Sequence, residues 1–65
     1  MNSAVLIEIH GVEAGLVVRD ERGQFRFFAA AREAFRFEGR LFRSAADARR
    51  AVAEAIDPKP SRRGG

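Results

Sequence analysis

The chain has 65 residues, twelve Lys or Arg against nine Asp or Glu, a formal net charge of +3, and no cysteine. A chain of this size supports one domain and buries only ~60% of its unfolded surface. The lack of thiols excludes a disulfide scaffold, a Cys-ligated zinc site and a thiol nucleophile, and with no apolar run near the ~20 residues of a membrane span and no signal-like start, the expectation is a cytoplasmic protein without a membrane partner.

Val5-Leu6-Ile7-Glu8-Ile9-His10 is β-branched and apolar, with Val5, Ile7 and Ile9 alternating onto one face, which predicts a strand. Gly11 and Gly15 bracket the expected hairpin connection, and Leu16-Val17-Val18-Arg19 reads as the return strand. Asp20-Glu21-Arg22-Gly23 is a second turn signal. Gln24-Phe25-Arg26-Phe27-Phe28 alternates again, with Phe25 and Phe27 on one face, so three strands form an antiparallel meander. Ala29–Phe37 has high helix propensity over a short stretch, which predicts one or two helical turns before Glu38-Gly39. Arg40-Leu41-Phe42-Arg43 is expected as a short fourth strand. Ser44-Ala45-Ala46-Asp47 then fits a helix start in which the hydroxyl accepts from an orphan backbone N–H. Ala45, Ala48, Val52, Ala55 and Ile56 follow at helical spacing, Arg50 and Glu54 stand four apart as a candidate pair, and Pro58 ends the helix.

The expected fold class is therefore α+β: a three- to four-stranded antiparallel sheet in the order β-β-β-short α-β-α, with one C-terminal helix on one face. Residues 1–57 form the domain and 58–65 a disordered basic tail. One helix covers one sheet face. The second face is expected to carry Leu6, Glu8, His10, Val17 and Phe28, apolar enough to mark an interface. A homodimer sealing that face would also stabilise so small a domain.

The basic excess is unevenly placed. Lys59, Arg62 and Arg63 give the tail +3, which leaves residues 1–57 formally neutral. Within that body, seven Arg against four acids between Arg19 and Arg43 give +3, balanced by −3 in the flanks. Eleven of the twelve cations are Arg, beside twelve Ala, a bias that GC-rich codons can produce without selection for charge.

Catalytic candidates are few. The chain has one histidine, His10, and three hydroxyls, Ser3, Ser44 and Ser61, with no Thr or Tyr. Ser44 is accounted for as a helix cap, and Glu8 with His10 offers two ligands where zinc wants three or four. The expectation is a non-enzyme with no cofactor and no metal site.

Two binding readings remain. In the first, the Arg-rich segment and the tail contact nucleic acid, with Arg26, Arg36, Arg40 and Arg43 on phosphates and Phe28 beside Arg26 as a stacking base. Arg22-Gly23-Gln24-Phe25-Arg26-Phe27 loosely resembles the RNP1 pattern, and Gly15 to Phe28 the second and third strands of cold-shock domains, a barrel that lacks a terminal helix. In the second, an antitoxin-like or accessory regulatory module meets itself or another protein through Leu6, Val17 and Phe28. A third, more remote reading rests on Arg62-Arg63-Gly64-Gly65, which resembles the C-terminus of ubiquitin and of the small sulfur carrier proteins. That resemblance implies adenylation of the terminal carboxylate and a β-grasp fold of order β-β-α-β-β.

Overall fold

The computed structural model describes residues 4–56. It is an α+β fold with β1 (Ala4–Ile9), β2 (Val12–Arg19), β3 (Phe25–Ala29), a 3₁₀ helix (Arg32–Phe37), β4 (Leu41–Phe42) and α1 (Ala45–Ile56). The strands form one antiparallel sheet in the order β1-β2-β3-β4. With its α-helix last, this order differs from the β-grasp order that the Gly-Gly end implies; Gly64, Gly65 and the rest of the basic tail lie outside the described residues. No helix among the described residues is long and apolar enough to cross a membrane.

Each turn has a local cause. Ile9 pairs with Val12, so the first connection is His10-Gly11 alone, with φ of 52° and 79°. Two positive φ values in a two-residue loop make a type I′ turn, whose twist matches that of the strands it joins. Gly15, expected in this connection, instead lies inside β2. At the second turn Asp20 Oδ1 accepts from the backbone N–H groups of Arg22 and Gln24, both at 2.9 Å, and Gly23 takes φ 85°. The short helical stretch predicted over 29–37 is the 3₁₀ helix, and it begins only at Arg32. Ala29 still belongs to β3, and the N–H groups of Ala30 and Ala31 donate to the Ala14 carbonyl at 2.8 and 3.1 Å. Those two bonds hold the chain extended for two residues beyond the strand.

Register decides what the sheet buries. Ile7 pairs with Gly15 but Glu8 pairs with Glu13, so Ala14 is the extra residue of a β-bulge. The helix-side face then carries Ile7, Ile9, Ala14, Val17 and Phe27, all buried, with Val17 directly opposite Phe27. Val17 is therefore not on the second face where uninterrupted alternation put it; it is fully buried, and Leu16 and Val18 point outward in its place.

Ala34 and Phe37 from the 3₁₀ helix and Ala48 and Val52 from α1 close this core. The Phe37 ring meets Phe27 edge-on at 6.3 Å between centroids and Phe42 at 6.4 Å. Small side chains on the inner face of α1 let it lie close to the sheet. Ser44 Oγ accepts from the Asp47 N–H at 3.1 Å, the cap that the sequence announces. Arg50 pairs with Asp47, three residues before it, at 3.6 Å rather than with Glu54.

Gly15 is required by packing. A Cβ there would meet the Phe28 carbonyl oxygen and come within 2.6 Å of Phe27 Cζ. Gly15→Ala is expected to destabilise the fold by about 1–3 kcal/mol, the usual cost of overpacking. Ser44→Ala should cost about 1 kcal/mol through the lost cap. Urea unfolding checks both, as lower midpoints at unchanged slope.

Candidate interaction face

The sheet face turned away from α1 is built by the cross-strand register. One row runs Ala4, Val18, Arg26, Leu41 across the four strands; the next runs Leu6, Leu16, Phe28; a third pairs Glu8 with Glu13. Leu6 is 51% exposed, Phe28 41% and Leu41 42%, with Leu16 and Val18 half-buried between them. The centre of the face is thus apolar. Its two ends differ in charge.

At one end Arg26 lies across the sheet, its guanidinium donating to the Gly39 carbonyl at 3.2 Å. Gly39 is held there by its own N–H bond to the Phe27 carbonyl (2.9 Å) and by a φ of 79°. At the other end Glu8 and Glu13 are direct cross-strand neighbours.

The four arginines considered for phosphate contact do not share one surface. Arg26 is on the outer face. Arg40 is on the helix side, its guanidinium 5.6 Å from the centre of the Phe37 ring, where it caps the aromatic cluster. Arg36 is exposed on the 3₁₀ helix and lines a groove of about 350 Å³ with Phe37, Ala51, Glu54 and Ala55. Arg43 is exposed in the link between β4 and α1. Phe28 and Leu6 do come together, as the two ends of one row.

Sequence reasoning missed Leu16, Val18 and Leu41 on this face. For Leu41 a signal existed: a strand antiparallel to β3 has to place some side chain beside Arg26. For Leu16 and Val18 there was none, since three consecutive apolar residues carry no alternation.

A second groove, of about 480 Å³, lies between the first turn and α1, lined by Ile9, His10, Ala46, Arg49, Arg50 and Glu54 among others. Among the described residues, no three His, Asp or Glu side chains gather closely enough to hold a metal ion. No family model, curated protein or solved structure matches the chain.

Arg40 and Arg36 should separate in stability measurements. Arg40→Ala is expected to cost about 0.5–1 kcal/mol by uncovering the Phe37 ring. Arg36→Ala should stay within about 0.5 kcal/mol of the parent, as exposed substitutions usually do. Paired thermal melts of the two variants check this order.

Proposed function

We propose that this chain is a non-enzymatic protein-interaction module that binds through the outer face of its sheet. The observation that carries the reading is the row Leu6, Leu16, Phe28, flanked by Val18 and Leu41, with Leu6, Phe28 and Leu41 exposed on a face that no element of the described chain covers. A contiguous apolar surface of this kind is costly to leave in water and marks an interaction site. Flat sheet faces bury such rows against another sheet or a helix at about 10 Å.

Charge argues against phosphate as the occupant of this face. Arg26 stands there with Glu8 and Glu13, so the face carries more negative than positive charge. Arg36 and Arg40 lie on the helix side of the molecule, with Arg40 engaged on the Phe37 ring. The Arg-rich segment is thus dispersed by the fold rather than gathered.

Site-specific photo-crosslinking tests the reading. A photoreactive phenylalanine analogue at position 28 should give protein adducts well above those from the same analogue at Arg49, an exposed position on α1. Leu6→Asp in the same chain should abolish the adducts from position 28. Equal yields from the two positions would overturn the reading. So would adducts to nucleic acid, with binding that weakens by a slope near −0.9 in log K against log salt for each phosphate contacted.

A further inference from the structure

We propose that the occupant of the outer face is a second copy of this chain, docked sheet to sheet so that the Arg26 end of each face lies over the Glu8–Glu13 end of the other. The inference rests on the outer face being a protein-binding surface, and it names the partner. The face is self-complementary in charge. Its apolar centre is the Leu6, Leu16, Phe28 row; Arg26 lies one row to one side, and Glu8 with Glu13 one row to the other.

A two-fold axis lying between two such faces, across the strands and through the central row, exchanges the ends. It sets Leu6, Leu16 and Phe28 of one copy against the same row of its partner, and it brings each Arg26 toward the other copy's carboxylates. Two-fold interfaces repeat every contact twice, so one complementary pair of ends becomes two.

Two features of the single chain favour this occupant over an uncharged apolar one. Like charges directly opposite each other across two strands are destabilising, and neither Glu8 nor Glu13 pairs with a cation among the described residues. Within one copy Arg26 is too distant to serve. Ala4 and Glu8 mark the two end rows on β1, four residues apart, which is about 13 Å at ~3.3 Å per residue and beyond the ~8 Å screening length of physiological salt. Stacked sheets sit about 10 Å apart, and Arg and Glu side chains reaching toward each other across that gap meet. The partner therefore supplies what the chain's own geometry withholds.

A charge-swap experiment tests the proposal. Sedimentation should show a dimer for the wild type. Arg26→Glu alone, and Glu8→Arg with Glu13→Arg alone, should each weaken self-association by about tenfold or more, because both ends become like-charged. Mixing the two variants in equal amounts should restore association, since each end of the mixed dimer again pairs opposite charges. Should Arg26→Glu fail to fold by circular dichroism, Arg26→Gln, which keeps an N–H for the Gly39 carbonyl, must still weaken the dimer. Variants that dimerise like the wild type, or a mixture no tighter than its components, would overturn the proposal. A wild type that stays monomeric would overturn it as well. In that case, face-specific adducts from position 28 to a different protein would leave the interaction module standing, and no such adducts would remove both.

Discussion

The fold turns on one extra residue in β2. Ala14, inserted between the partners of Ile7 and Glu8, shifts the phase of the strand, so that Val17 points into the core opposite Phe27 while Leu16 and Val18 point out. The carbonyl of the same residue faces the end of β3. That oxygen then accepts two N–H groups from Ala30 and Ala31 and steers the chain from β3 into the 3₁₀ helix. Beside it, Gly15 leaves the space that the Phe27 ring occupies. Packing and the composition of both sheet faces thus follow from one local irregularity.

What the bulge arranges, the described residues leave open on one side. The one α-helix of the described residues, lined on the inner side mostly with alanine, lies on one face of the sheet and completes a core of isoleucine, valine and alanine around the Phe27, Phe37 and Phe42 rings. The opposite face keeps leucines, a valine and a phenylalanine in contact with solvent. A domain this small buries little surface per residue, so burying that face against a second protein would change its stability by a large fraction. In the proposed dimer the face's opposed end charges would give the association direction as well as affinity.

The order of elements was legible because each carries a local signal. Alternation marks β1 and β3, Asp20 to Gly23 marks a turn, and Ser44 marks a helix start whose hydroxyl bond is present at 3.1 Å. The apolar character of the second face was legible too, through Leu6 and Phe28. Its composition was not. Leu16-Val17-Val18 is apolar at every position, so hydropathy gives that strand no phase; the phase comes from backbone pairing across the bulge. Gly15 looked like a turn residue because conformational freedom is the common reason for a glycine, whereas here the reason is a ring 2.6 Å from where its Cβ would lie. The arginines looked like a cluster because they are close in sequence. Strand alternation and the 3₁₀ connection between β3 and β4 place Arg26 on one side of the sheet and Arg40 on the other, and linear charge counting has no access to that.

In the proposed dimer the outer face, as phased by the bulge, seats a second copy of the chain. An isotope-filtered NOE spectrum of a sample mixed from labelled and unlabelled protein tests it most directly. Intermolecular contacts are expected between the Leu16 methyl groups of one copy and the Phe28 ring of the other, and between the Leu6 methyl groups of the two copies. Intermolecular contacts confined to Phe35 or to the exposed side of α1, or none at concentrations where the protein sediments as a dimer, would contradict it.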